Sequence, residues 1–179
     1  MLSRGASSRI CRALGLGAII AAVTACGWQL RGSGQGDIEG EPLIVASELG
    51  EGAVVQLTRQ SLRRLGARVV EAGDAAPTLR LTSENTSRRT IATDDDGRAS
   101  AWELAYRLSF SLRPASDASS DGEQTPPPPL LRERTVRASQ TYDAAPQDAL
   151  AEEAQRERLI EELREEAVRL MISQVATAL

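Results

Sequence analysis

The sequence contains no histidine and no lysine, and it has only two cysteines. Histidine is the most common general base and metal ligand near neutral pH, so its absence removes the usual starting point for an enzyme site. The remaining serines and carboxylates show no nucleophile elbow, phosphate loop or dinucleotide-binding glycine motif. The sequence therefore predicts a protein that is not an enzyme and that uses neither a cofactor nor a metal.

Positive charge is also scarce. All 21 basic residues are arginines, and 25 acidic residues outnumber them, which gives a formal net charge of −4. Nucleic-acid-binding domains usually present a dominant basic face, so this balance argues against a nucleic-acid partner. Arginine is nonetheless better suited than lysine to contact a phosphate through two parallel hydrogen bonds.

Residues 1–25 have the pattern of a secretory signal. Three arginines and no acid precede the apolar run Ala13–Val23. This run is too short for a membrane-spanning helix, which needs roughly 20 apolar residues. The residues that follow it, Val23-Thr24-Ala25-Cys26, resemble a bacterial lipobox, in which the cysteine receives a lipid and becomes the first residue of the mature protein.

Cys26 is thus predicted to hold the chain on a membrane through a lipid anchor. Because an aspartate after the lipidated cysteine tends to retain a lipoprotein in the inner membrane, Gly27 resembles an outer-membrane address. Cys11 leaves with the signal, so no thiol remains for a disulfide. The alternative is a soluble secreted protein with an incidental cysteine.

The rest of the chain predicts a leader and one domain. Residues 26–41 are polar and glycine-rich, which predicts a flexible lipidated leader. Residues 42–179 are long enough for a single α+β domain with its own core. Within this domain, residues 115–129 are of low complexity and include four consecutive prolines, which predicts a long hairpin loop.

Apolar periodicity predicts the helices and strands of this domain. In chain order they are a strand at 43–46, a helix at 52–65, strands at 67–71, 78–90, 102–112 and 130–142, and a long helix at 146–178. The first strand, helix and strand predict a crossover between parallel strands. The fold class is therefore α+β, with a mixed four- to five-stranded sheet and both helices packed on one face, in the order β-α-β-β-β-α.

Three elements also carry predicted faces. The strand at 102–112 has the strongest alternation, with Trp102, Leu104, Tyr106, Leu108, Phe110 and Leu112 predicted to face a core. The strand at 130–142 is predicted to have one face made up of Arg132, Arg134, Val136, Ala138, Gln140 and Tyr142. The final helix is predicted to bury a stripe of Leu150, Ala154, Ile160, Leu163, Ala167, Leu170, Met171 and Val175 opposite a charged face.

The residues after the lipobox carry a family resemblance. The run Cys26-Gly-Trp-Gln-Leu-Arg-Gly32 is similar to the mature start of the LptE family of lipopolysaccharide-assembly lipoproteins, which typically opens Cys-Gly-aromatic-x-Leu-Arg. Later features follow in the same order: a turn at Gly97, a strand with an early Trp102, an arginine-bearing strand ending at Tyr142, and a long final helix. The resemblance covers most of residues 24–179.

The resemblance implies a function and partners. LptE proteins sit as a plug inside the outer-membrane β-barrel LptD, help that barrel to assemble, and bind lipopolysaccharide during its delivery to the cell surface. The implied location is the outer membrane, where the lipid-anchored, periplasm-facing domain lies within the lumen of an LptD-like barrel. The family fold, a sheet with two helices on one side, agrees with the fold predicted above.

Candidate ligand contacts follow from the same resemblance, because basic residues near the sheet's hairpin tip are linked to lipopolysaccharide binding in the family. Here the tip consists of three aspartates, with arginines on both sides of it. The prediction is that Arg88, Arg89 and Arg98 contact lipid A phosphates through charge-assisted hydrogen bonds. Arg132 and Arg134 are second choices. The alternative is ordinary cross-strand pairing of these arginines with nearby acids.

Two other functions remain open at this point. An auxiliary lipoprotein subunit of another envelope lipid or solute transporter could share the lipobox and the strand-helix-strand start, but it would not need the Gly-Trp-x-Leu-Arg run. An envelope enzyme would have to work with carboxylates or serine alone. A pocket lined by carboxylates with strongly perturbed pKa values would indicate such an enzyme.

Overall fold

The computed structural model describes residues 38–115, 127–144 and 149–179. The predicted signal peptide, Cys26, most of the leader and most of the low-complexity loop lie outside these ranges. The described elements are, in chain order, β1 (Pro42–Ser47), α1 (Ala53–Arg64), β2 (Arg68–Val70), β3 (Thr78–Thr93), β4 (Ala99–Arg113), β5 (Leu131–Asp143) and α2 (Ala149–Ala178).

The five strands form one mixed sheet in the order β2-β1-β3-β4-β5. Strand β1 pairs in parallel with both β2 and β3, while β3, β4 and β5 are antiparallel. The predicted mixed sheet, its two helices and the parallel crossover through α1 are confirmed. Four strands lie between the two helices, because the short β2 is a separate strand. The sheet therefore has five strands, the larger of the two numbers predicted.

Helix α1 begins and ends where the local sequence allows. Gly52 caps its start in an extended conformation, and Arg63 and Arg64 lie in its last turn, where positive charge favours the carbonyl end of a helix. The helix stops before Gly66, whose φ of 86° suits the left-handed residue that commonly ends a helix. The next residues then form β2 beside β1.

The core lies between the sheet and the two helices. On β4, Leu104, Tyr106, Leu108, Phe110 and Leu112 are at most 1% exposed, which confirms the face predicted from their alternation. Trp102 is partly buried and packs against the same core. Full burial of each such side chain contributes about 1.5–3 kcal/mol.

Within the described ranges, no helix is long and apolar enough to cross a membrane.

The buried face of α2 differs from the predicted stripe. Leu163, Ala167, Met171 and Val175 are buried as predicted, but Leu150 is 82% exposed and Leu170 is 37% exposed, and Ala154 is also exposed. The buried face instead includes Leu159, Val168, Ile172 and Ala176. Helix α2 contacts α1 as well as the sheet, so Ile172 and Ala176 are buried on a side that a stripe facing the sheet alone does not include.

The predicted face of β5 is confirmed from Arg134 to Tyr142, whose alternate residues pair with the buried face of β4, but it is wrong for Arg132. The register between β4 and β5 shifts between Phe110 and Leu112, so that Leu131 pairs with Leu112 while Arg134 pairs with Phe110. An extra residue in one strand interrupts the alternation of side chains. The buried Leu131, rather than Arg132, therefore takes the helix-facing position before Arg134.

Candidate functional site

The sheet has two unlike faces. Helix α2 packs on β4 and β5, α1 packs on β1 and β2, and the helices contact each other, so both lie on one face. We call this the covered face. The opposite side of β3, β4 and β5 is the open face, which neither described helix reaches. Because side chains alternate along a strand, consecutive residues belong to different faces.

Arg88 lies on the covered face near the distal end of β3. It pairs in register with the buried Leu104, and its guanidinium stacks over the ring of Trp102, 4.2 Å from the ring centroid. Its Nη1 donates a hydrogen bond of 3.0 Å to Oε1 of Glu152 at the start of α2. The pKa of Arg88 is raised, first by the phenol of Tyr142 and then by the negative charge of Glu152, so this side chain remains a cation.

Arg89 points to the open face, away from Arg88. It pairs in register with Glu103, and its Nε donates a hydrogen bond to that carboxylate. Glu103 also accepts a hydrogen bond of 3.1 Å from Arg137 on β5. The pKa of Glu103 is lowered, first by the hydrogen bond from Arg89 and then by the positive charges nearby, which keeps this carboxylate ionised.

Arg98 closes the turn between β3 and β4. The carboxylate of Asp94 accepts hydrogen bonds from the backbone amides of Asp96 and Arg98 at 3.0 and 2.8 Å, and Gly97 takes a φ of 77°. These contacts confirm the predicted turn. The guanidinium of Arg98 pairs with Asp96 at 3.0 Å, and both side chains are about 70% exposed, so the pair is weak and open to exchange.

Arg132 and Arg134 lie far from this hairpin end. Arg134 pairs with Phe110 whereas Arg88 pairs with Leu104, and six residues along β4 span about 20 Å at roughly 3.3 Å per residue. Arg134 donates a long hydrogen bond of 3.4 Å to Gln174 of α2. Arg132 is exposed and has no hydrogen-bond or ion-pair partner among the residues that the structure describes.

The five candidate arginines therefore do not form one cluster. Arg88 and Arg98 lie on the distal part of the same hairpin, Arg89 turns to the open face, and the β5 pair lies elsewhere. The first three each have an acidic partner, which is the arrangement expected of ordinary charge pairing. Their role toward lipopolysaccharide stays a prediction.

Two further arginines, which no sequence pattern indicated as ligand contacts, face each other on the open face. Arg107 of β4 and Arg137 of β5 are direct cross-strand partners. Arg137 shares Glu103 with Arg89, while Arg107 makes a 3.5 Å contact with the hydroxyl of Ser87 and lies close enough to Glu103 to help lower the pKa of that carboxyl. The alternation of β4 does place Arg107 on its polar face. Its pairing with Arg137 depends on a register that no local pattern reveals.

A groove of about 970 Å³ lies between the two helices. Its floor is apolar, with Leu57 from α1 and Ile172 from α2. The charged residues that line it are three glutamates and two arginines: Glu162, Glu165, Glu166, Arg64 and Arg169. That balance disfavours a phosphate ligand, so this groove does not compete with the arginines of the sheet as a site for phosphate. Among the described residues there is also no group of three or more acidic side chains placed to hold a metal.

The described chain is thus a two-layer α+β domain with surfaces suited to binding. Its sequence is similar to that of one known protein family. The profile described as LptE: Lipopolysaccharide-assembly matches residues 43–175. The LPS-assembly lipoprotein LptE of Photorhabdus laumondii is 30% identical over 163 residues, which cover 90% of this chain and 83% of that protein. The LptE of Yersinia pestis is 30% identical over 167 residues, covering 90% and 73%. The chain belongs to the LptE family.

Solved structures share the fold. Rare lipoprotein B from Shewanella oneidensis superposes with a TM-score of 0.64 at 22% identity, covering 76% of this chain and 95% of that chain. A lipoprotein B from Nitrosomonas europaea, determined in solution, gives a TM-score of 0.58 at 19% identity and covers 84% and 90%. At these identities the likeness concerns the fold: a mixed sheet with two helices on one face.

Proposed function

We propose that this chain is an outer-membrane lipoprotein that serves as plug and assembly factor for an LptD-like β-barrel and binds lipopolysaccharide on its way to the cell surface. The observation that carries the proposal is the family match over residues 43–175, since the family is described by lipopolysaccharide assembly. Lipidation at Cys26 is part of the proposal. It leaves the domain facing the periplasm and lying within the barrel lumen.

The surface of the described domain suits a polar lumen. The interior of a transmembrane β-barrel is polar, so a plug needs hydrogen-bonding groups rather than a greasy exterior. The open face of the sheet carries mostly hydroxyl, amide and guanidinium groups. Contacts between two polar surfaces of this kind are hydrogen-bonded and retain water.

The distal end of the β3–β4 hairpin suits the phosphates of lipopolysaccharide. Arg88 is held by the Trp102 ring with its guanidinium partly exposed, and Arg89 and Arg98 are each 69% exposed. Solvent-exposed ion pairs contribute only about 0–1 kcal/mol, so an arriving phosphate can replace a carboxylate partner at small cost. Arginine–phosphate pairs are shorter and stronger than neutral hydrogen bonds.

A charge-reversal variant tests whether the three arginines bind lipopolysaccharide. Purified wild-type domain and the triple variant R88E/R89E/R98E are titrated with fluorescent lipopolysaccharide. We expect the triple variant to lose most of the binding, while the control R63E/R64E/R158E, with the same charge change on exposed helix positions, retains it. Equal binding by the triple variant and the wild type would remove these arginines from the ligand site.

A pull-down tests whether the partner is an outer-membrane β-barrel. The full precursor carries a C-terminal tag and is recovered from detergent-solubilised outer membranes, and the captured proteins are identified by mass. The expected result is one large β-barrel in stoichiometric amount. Capture of an inner-membrane ATPase complex instead, or of no partner, would contradict the plug assignment and favour an auxiliary subunit of another transporter.

A further inference from the structure

The two layers of this acidic protein differ in charge. The three long strands β3, β4 and β5 carry eight arginines against four acidic residues, whereas the two helices together carry seven arginines and seven glutamates. The formal net charge of the chain is −4. Positive charge is therefore concentrated on the sheet, even though the molecule as a whole is negative.

Four rows of cross-strand partners make up the middle of the open face. They are Ser83, Ser109 and Thr135; Asn85, Arg107 and Arg137; Ser87, Ala105 and Ser139; and Arg89, Glu103 and Thr141. Three arginines here face one glutamate. The only apolar member, Ala105, is 2% exposed. This patch offers cationic and hydrogen-bonding groups but no surface on which an acyl chain could lie.

Arg107 and Arg137 are the least compensated part of this patch. Like charges directly opposite each other in an antiparallel pair destabilise the sheet. Glu103 is hydrogen-bonded to Arg89 and Arg137 and is close enough to Arg107 for its charge to be felt, so one carboxylate serves three arginines. Within the described ranges, the hydrogen bond that Arg107 itself makes is the long one to Ser87. Such a pair is best satisfied by carboxylates that come from outside the domain.

We propose that the three open-face rows from Ser83 to Ser139 are the surface that docks against the inner wall of the barrel, and that Arg107 and Arg137 bind carboxylates on that wall. Arg89, in the next row toward the hairpin tip, stays with the proposed lipopolysaccharide site. This inference rests on the proposed plug function and adds which face of the domain is the interface. A protein wall fits better than lipid, because rows of hydroxyl and amide groups match a polar protein surface and the patch has no exposed apolar side chain.

Three tagged precursors, each made with the barrel partner, test the docking. In R107E/R137E we expect the amount of barrel recovered per lipoprotein to fall about tenfold or more, because the wall carboxylates would then meet like charge. The control R63E/R158E makes the same charge change on the helices and should recover the wild-type amount. Full recovery by R107E/R137E overturns the inference, whereas failure of the wild type to recover a barrel overturns the plug function as well.

A neutral variant separates docking from folding. R107S removes one member of the like-charge pair and leaves the hydrogen bond between Arg137 and Glu103 in place, so the purified lipoprotein should melt at the wild-type temperature or above it, yet the variant should recover less barrel. A photo-crosslinker at Ser139 on the open face should capture the barrel, whereas one at Arg158 on α2 should not. Capture of lipopolysaccharide at Ser139 in place of the barrel would overturn the inference.

Discussion

Glu84 of β3 accepts a hydrogen bond of 2.7 Å from the phenol of Tyr106 on β4. Arg164 of α2 donates to the same carboxylate oxygen at 3.3 Å, and its guanidinium lies 5.8 Å from the centroid of the Tyr106 ring. Burial, and then the hydrogen bond to Glu84, raises the pKa of Tyr106, so the phenol keeps its proton and acts as a donor. One carboxylate thus connects two strands and the final helix.

This connection predicts a measurable loss of stability. Tyr106→Phe removes one hydrogen bond to a charged acceptor and leaves the ring in place, so the free energy of unfolding should fall by about 1.5–3 kcal/mol. Urea denaturation of Y106F, E84Q and the double variant measures the coupling between the two side chains. A coupling energy of zero would contradict the contact.

Two leucines that were both predicted to be buried, one on β4 and one on α2, should respond differently to truncation to alanine. Leu108 is fully buried in the core, whereas Leu150 is 82% exposed. We expect Leu108→Ala to lower the free energy of unfolding by about 2–5 kcal/mol, and Leu150→Ala to change it by less than about 0.5 kcal/mol. Both values come from urea denaturation of the isolated domain, and similar losses in the two variants would contradict the burial described above.

Acid should weaken the domain partly through Glu103. The pKa of this residue is lowered from 4.5 in the folded protein, chiefly by its hydrogen bond from Arg89. A carboxyl with a lowered folded pKa stabilises the protein above its unfolded pKa, and that contribution is lost as the pH falls through the folded value. The loss attributable to Glu103 should therefore occur below about pH 4.5.

Thermal melting as a function of pH checks this assignment. Glu103→Gln should flatten the decline in stability below pH 4.5, because the glutamine has no proton to take up. The control is Glu157→Gln, at an exposed position that makes no ion pair within the described ranges. If the two variants and the wild type decline in parallel, Glu103 is not responsible.

Alanine substitutions at two glycines with positive φ distinguish the cost of backbone strain from the cost of steric crowding. Gly66 has a φ of 86° and Gly97 a φ of 77°, so an alanine at either position should cost about 1–2 kcal/mol of strain. Only at Gly66 would the new Cβ also meet the Glu39 side chain, 2.8 Å away. We expect G66A to melt at a lower temperature than G97A. Equal melting temperatures would mean that Glu39 moves aside freely.

The element order could be predicted from the sequence because each element has its own local signal. The alternation from Trp102 to Leu112 shows which side chains of β4 are buried, and Gly66 indicates where α1 ends. The less regular elements were predicted less well. The face of α2 drifted from its stripe, and the extra residue beside Leu131 displaced Arg132, because both outcomes depend on how a neighbouring element packs rather than on the segment itself.

The candidate site shows the same division between sequence and structure. The arginines near the hairpin tip could be named from the family resemblance, and as consecutive residues of a strand Arg88 and Arg89 point to opposite faces. Their partners, Glu152 and Glu103, became apparent only with the tertiary structure. Arg107 and Arg137 were not selected at all. Their pairing joins two strands across a long connection whose length gives no register, so no pattern within either strand could reveal it.

The sequence by itself determined the family, the acidic balance, the predicted lipid attachment at Cys26 and the order of strands and helices. These features depend on neighbouring residues, and a period of two or of 3.6 is visible within a short stretch. Only the tertiary structure decided that Arg88 meets Glu152, 64 residues away, and that Arg137 meets Glu103, 34 residues away. Such contacts depend on strand register and helix docking, which are determined by the packing of the whole core.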